Sequence, residues 1–197
     1  MATVLPRHTE FPGRLLWGNP FLASESLYRR VLGTRFDELP EVLRRFHDAP
    51  AGAKARGVFR VERGAGRIRN ALATVMGFPR AGNDVPVELH VVIEGDRERW
   101  IRQIGGRRLV STQWAQGSSL MERAGAASFS CSLLVEGSRL HYQFLRAWWM
   151  GIPLPGFLAP FVESYVEAGD RGWRVLVRIF APLVGEVACY QGWIEPE

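Results

Sequence analysis

The sequence predicts an α+β protein, mostly β: a curved antiparallel sheet or incomplete barrel of about eight strands packed around N-terminal helices. Three observations carry this. From Asp84 onward apolar residues recur with period two, as Val87, Leu89, Val91 and Ile93 set against Glu88, His90, Val92 and Glu94. The runs are divided by turns such as Gly95-Asp96, Gly105-Gly106 and Gly137-Ser138, too short for a crossover helix, so neighbouring strands are antiparallel. Helical spacing is confined to the chain before Pro79.

Residues 1–24 hold Pro6, Pro12, Gly13, Gly18 and Pro20 and read as an irregular N-terminal arm. Residues 25–197 read as a single β-rich domain. From Ser26 to His47 the pattern is helical in two pieces, with Leu27, Val31 and Leu32 on one stripe and Leu39, Val42, Leu43 and Phe46 on the next. The alternating Gly57–Glu62 reads as a strand. Arg67–Met76 then reads as a short helix. Its Ile68, Leu72, Val75 and Met76 form one apolar face, expected to be buried against the sheet, and Gly77 and Pro79 end it. Strands follow at Val87–Ile93, Glu98–Ile104, Leu109–Gln116, Ser118–Arg123, Ser128–Glu136 and Arg139–Trp149. After a Pro/Gly-rich stretch come Phe161–Ala168, Trp173–Ala181 and Glu186–Ile194. So long a meander must curl, close or be covered, because a flat open sheet exposes its edges and one apolar face.

Composition narrows the function classes. The chain has 197 residues, 47% hydrophobic and 23% charged, enough to bury a core without staples. Cys131 and Cys189 make no disulfide framework and have no second ligand at zinc spacing. They read as buried thiols, with a single bridge left open. The start lacks a basic head followed by an apolar run, and the most apolar segment, Phe144–Val162, is broken by Arg146, Pro153, Pro155 and Pro160. The expected location is cytoplasmic. The net charge of +5 comes from scattered arginines with no basic run of four, so no nucleic-acid partner is expected. Gly64-Ala65-Gly66 lacks the Lys-Ser/Thr of a phosphate loop and the third glycine of a dinucleotide fingerprint, so no cofactor is expected.

Candidate site residues come from the strands. Glu88 and His90 share a face and would make an acid/base pair if that face met a cavity; period two places it opposite Val87, Leu89 and Val91, toward solvent. They are the first catalytic candidates, with Arg102, Tyr142 and Arg146 open to the same use in a pocket, and no metal site is expected. Trp100, Arg102, Tyr142, Phe144, Arg146 and Trp148 form the ligand-binding candidates, aromatic walls with two arginines to orient a polar group. Tyr142, Phe144, Arg146 and Trp148 alternate along one strand and are expected on one face. The segment 148–161 is apolar yet rich in proline, and reads as a cover over whatever that face encloses.

Several ordered pieces carry a family resemblance. Leu27-Tyr28-Arg29-Arg30-Val31-Leu32-Gly33, Arg35-Phe36-Asp37-Glu38-Leu39-Pro40, Gly57-Val58-Phe59-Arg60-Val61, Gly151-Ile152-Pro153-Leu154-Pro155 and Tyr190-Gln191-Gly192-Trp193 resemble the bacterial uncharacterised-domain family numbered 4166. The resemblance spans roughly residues 26–196. It implies one domain and admits a partner oxidoreductase, because members of the family are also joined to nucleotide-binding oxidoreductase-like domains. It implies no activity and no catalytic residues.

The leading functional expectation is a binding domain for an apolar or amphipathic small molecule in a half-barrel cavity. Two alternatives stay open. One is a cofactor-free enzyme, a cyclase, isomerase or hydrolase, using a similar pocket. The other is a module that docks a partner or touches a membrane surface through the 148–161 loop.

Overall fold

The computed structural model describes residues 25–197; the arm expected over 1–24 lies outside the described residues. Eleven strands form one sheet. They are β1 (Ala53–Arg63), β2 (Gly82–Glu94), β3 (Arg97–Ile104), β4 (Arg107–Gln116), β5 (Ser119–Ala124), β6 (Ala127–Glu136), β7 (Arg139–Trp149), β8 (Ile152–Pro153), β9 (Phe161–Ala168), β10 (Trp173–Ala181) and β11 (Gly185–Pro196). Every pairing is antiparallel. Consecutive strands pair from β1 to β7 and from β9 to β11, β7 pairs with β9, and β1 pairs with β11. The sheet is therefore a closed barrel of ten strands, with the two-residue β8 added beside β7.

This corrects the expected incomplete barrel of about eight strands. Two features close it. β1, separated from the later strands by a helix, is a full stave between β2 and β11. The excursion after Trp149 returns the chain so that β9 pairs along the free edge of β7. Closure needs β1 and β11 to press together. A Cβ at Gly57 would lie 1.9 Å from the Trp193 carbonyl oxygen, and one at Gly192 would lie 2.0 Å from that of Val58. Only glycine permits these approaches.

One end of the barrel is plugged. Helix α1 (Leu27–Leu32), a 3-10 turn (Gly33–Glu38) and α2 (Glu41–His47) carry the apolar stripes read in the sequence. Those stripes are buried: Tyr28 and Phe36 are wholly inaccessible, and Leu43 nearly so. They join one core with the inward residues Val87, Leu89, Trp100, Leu120, Leu140 and Ile194 of the barrel wall. Phe46 packs its ring 4.7 Å from Trp173. Arginines stitch the plug to the turns: Arg30 Nη2 donates to the Asp96 carbonyl at 2.6 Å, and Arg35 Nη2 to that of Val135 at 2.9 Å.

The opposite end is a mouth, formed by the connections 64–81, 105–106, 125–126, 150–160 and 182–184. The first contains α3 (Arg67–Val75). The expected burial of its apolar face is overturned. Ile68 is 71% and Val75 85% exposed; Leu72 is half-buried and only Ala73 is buried. The helix is held by hydrogen bonds instead. Arg63 reaches Asn70, Thr74 and the Phe78 and Pro79 carbonyls. Periodicity reports that a face is apolar, not what covers it.

The plug and the rim should therefore respond differently to truncation. Leu43→Ala is expected to lower stability by about 2–5 kcal/mol, whereas Val75→Ala should stay within about 0.5 kcal/mol of the parent. Equilibrium urea unfolding of the two variants measures both; equal losses would contradict the placement.

Candidate ligand cavity

Between plug and mouth the barrel encloses a cavity of about 590 Å³. Its wall is mainly apolar, from Phe59, Val87, Leu109, Val175, Val177 and Ile179. Alternation explains this: each stave turns every second residue inward. On β3 the inward set is Glu98, Trp100, Arg102 and Ile104, and on β4 it is Leu109, Ser111 and Gln113.

One polar chain crosses this interior. Arg102 Nη1 donates to Ser111 Oγ at 2.7 Å and lies 3.3 Å from Glu122 Oε1. Gln113 Nε2 donates to Glu122 Oε2 at 2.9 Å. The Tyr28 hydroxyl donates to Gln113 Oε1 at 3.2 Å and sits 3.2 Å from the Tyr142 hydroxyl. Trp100 lies under the Arg102 guanidinium, 5.0 Å from ring centroid to Cζ, and its Nε1 donates to Glu98 Oε2 at 2.9 Å. The Arg102 side chain keeps 24% exposure because it faces the hollow.

Burial governs the protonation of these groups. It pushes the Tyr28 and Tyr142 hydroxyls well above the usual phenol range, so both stay neutral donors. Burial also works against charge on Arg102, but Glu122 and the surrounding tyrosines outweigh it and raise the guanidinium. Burial raises Glu98 to about 7, against the opposing hydrogen bond from Trp100. It lowers His47, stacked 3.6 Å from Tyr28, to about 3. Burial holds the Cys131 thiol up at about 12, and both cysteines are free, so neither is a ready nucleophile.

The structure brings together Trp100, Arg102 and Tyr142 of the six expected ligand-binding residues. It separates the other three. Leu145 is an extra residue in β7: Cys131 pairs with Phe144 but Ser130 pairs with Arg146. Beyond Phe144 that bulge reverses the alternation, so Arg146 and Trp148 leave the face they were expected to share with Tyr142, while Phe144 keeps the register of Tyr142. Arg146 is exposed, Phe144 and Trp148 are half-buried, and none of them lines the cavity; Ala147 and Trp149 take the inward positions. Glu88 and His90 are exposed on the outer face of β2, away from the interior. His90 borders a separate open cleft of about 870 Å³ at the plug end. Sequence reasoning left out Tyr28, Ser111 and Glu122. Glu122 had a readable signal, its alternation with Leu120 on β5; Tyr28 had none beyond its place on an apolar helix stripe.

Among the described residues no cluster of His, Cys, Asp and Glu could hold a metal ion, and no helix is long and apolar enough to cross a membrane.

The chain belongs to the DUF4166 family, described as a domain of unknown function, whose model matches residues 39–194. No curated protein matches it. A solved structure from Nostoc punctiforme, a protein of unknown function from the DUF3598 family, superposes with a TM-score of 0.49 at 11% identity. The alignment covers 74% of this chain and 47% of that one, so the chain spans about half the length of that protein. A secretory abundant heat soluble protein from Ramazzottius varieornatus gives a TM-score of 0.40 at 9% identity, covering 73% of this chain and 92% of that one.

Two outcomes are expected from the polar chain. Arg102→Leu leaves the Glu122 carboxylate inside without its partner and should destabilise by about 2–3 kcal/mol, less than a fully buried pair because the cavity side is open. Arg102→Leu with Glu122→Leu should recover most of that loss, as read by thermal unfolding.

Protonation gives the second outcome. Glu98 binds its proton more tightly folded than unfolded, so its contribution is full below about pH 4.5 and fades as pH rises through about 7. His47 is the opposite case: its contribution is full above about pH 6.5 and fades as pH falls toward about 3. The two oppose each other between pH 4.5 and 6.5. Glu98→Gln, whose amide oxygen still accepts from Trp100, should therefore make stability rise more steeply with pH across that window. An unchanged slope in a pH series of urea melts would contradict it.

Proposed function

We propose that this chain is a binding domain for an amphipathic small molecule held inside the barrel. One observation carries the reading: a hollow of about 590 Å³ with apolar walls and a single polar chain of Arg102, Glu122, Gln113, Tyr28 and Tyr142 across it. That volume lies within the range of small-molecule sites, and a few fixed polar groups among apolar walls set orientation.

The charge pattern refines the ligand. Arg102 is already matched by Glu122, and the other arginine of the lining, Arg108, is exposed at the mouth, so an anionic headgroup would meet no unmatched cation deep in the barrel. The raised hydroxyls of Tyr28 and Tyr142 stay protonated at neutral pH. A carbonyl or hydroxyl on an otherwise apolar skeleton is the chemistry this interior accommodates. Trp100, Arg102 and Tyr142 are the binding residues kept from the sequence reading; Tyr28, wholly inaccessible, and Gln113, 2% exposed, hold them in place from behind.

The test uses the neutral apolar dye N-phenyl-1-naphthylamine. The parent should enhance its fluorescence saturably, displaceable by long-chain alcohols. Ser164 lines the cavity from β9. Ser164→Trp fills space that is otherwise empty and should weaken the dye at least about tenfold while the melting temperature holds. Binding no better than to an inert control, or equal binding by the filled variant, would sink the reading.

A further inference from the structure

The mouth rim is apolar where a folded protein has no reason to be. Ile68, Val75, Met150, Phe157 and Leu183 project from three different connections, α3, 150–160 and 182–184, that share this end of the barrel. Leu183 is fully exposed and Met150 75% exposed. Both also hold left-handed backbone, with φ of 62° and 51°. Glycine or asparagine serves such positions without strain, and a bulky apolar residue does not. Two independent penalties thus fall on the same exposed tips.

Charge is gathered at the same end. Arg67, Arg80, Arg107, Arg108 and Arg123 are exposed around the mouth, and the segments 63–82, 105–108, 123–127, 149–161 and 181–185 contain no Asp or Glu. Burial and the nearby charges of Arg107 and Arg80 lower the Arg63 guanidinium, which places those cations close together. The plug end is mixed instead, with Asp48, Asp96, Glu136 and Asp170 among its arginines.

We propose that the mouth rim is a docking surface for an anionic lipid bilayer, with the apolar tips inserted and the arginine ring at the headgroups. Apolar tips within a basic ring match a surface that is negative outside and apolar just beneath. A nucleic acid would use the arginines and leave the tips in water. Docking stands apart from the cavity reading, because it uses rim residues and needs no ligand inside.

The test is cosedimentation of the full chain with phosphatidylcholine vesicles, with and without phosphatidylserine. Binding should require phosphatidylserine and fall with added salt. Arg67→Gln, Arg107→Gln and Arg123→Gln together should lower partitioning by about tenfold to a hundredfold. Met150→Gly with Leu183→Gly should lower it at least about tenfold while the melting temperature holds or rises, since glycine relieves the strained backbone. Arg44→Gln with Arg45→Gln at the plug end should change nothing, and Ser164→Trp should bind vesicles like the parent whatever its dye binding does. The proposal is overturned if the parent ignores anionic vesicles, if the glycine variant binds as the parent does, or if the plug-end variant loses as much as the rim variant. Double-stranded DNA that competes equally for the parent and the glycine variant would also overturn it, assigning the arginines to a polyanion alone.

Discussion

The girth of the barrel is the constraint on which the other features depend. Around eight strands give an interior that side chains alone can fill, and each further strand widens it. This chain closes ten. Closure removes every long unpaired edge, and it also creates a hollow too wide for the inward residues to meet across it. The plug formed by α1, the 3-10 turn and α2 fills that hollow from one end, which is why Tyr28, Phe36 and Leu43 are among the most buried side chains. What the plug does not reach remains as cavity.

The polar chain across the cavity is costly unless its members satisfy one another, and they do. Gln113, 2% exposed, accepts from Tyr28 and donates to Glu122, while Glu122 also lies beside Arg102. Leucine or methionine at these positions would fill the hollow with no desolvation to offset. A matched ion pair facing an open cavity gives no advantage in stability over that filling. Its effect is to keep one part of the interior polar while the walls stay apolar, a contrast that would orient the amphipathic ligand proposed above.

Most of the barrel is legible in the sequence, because period two and short glycine turns are local signals. The strands from Glu98 to Ile194 fall within a few residues of their predicted limits. Closure is not local. Nothing in Gly57–Glu62 states that it pairs with a strand more than a hundred residues away, and the glycines that permit the approach, Gly57 and Gly192, read as ordinary punctuation. The site was half legible for a similar reason. Trp100 and Arg102 follow from alternation on β3, which is unbroken. Arg146 does not, because the single bulged residue Leu145 turns it outward, and one inserted residue leaves no mark in an apolar run. Tyr28 came from the plug, whose contacts with β4, β5 and β6 no strand pattern reveals.

The same limit explains α3 and bears on the mouth beside it. An apolar stripe in a sequence marks a surface that avoids water in some state of the protein, and the fold is only one such state. Here the fold does not use it: Arg63 anchors the helix through side-chain and backbone oxygens and leaves Ile68 and Val75 in solvent. Folding stability alone would select polar residues there and glycine at positions 150 and 183. Plugged at one end, the barrel has its cavity bordered at the other by Val75, Met76, Phe78 and Trp149. The route inward and the strained apolar rim therefore coincide. An amphipathic molecule passing between a bilayer and this interior would cross the rim without passing through bulk water, and the desolvation barrier to its exchange would fall accordingly.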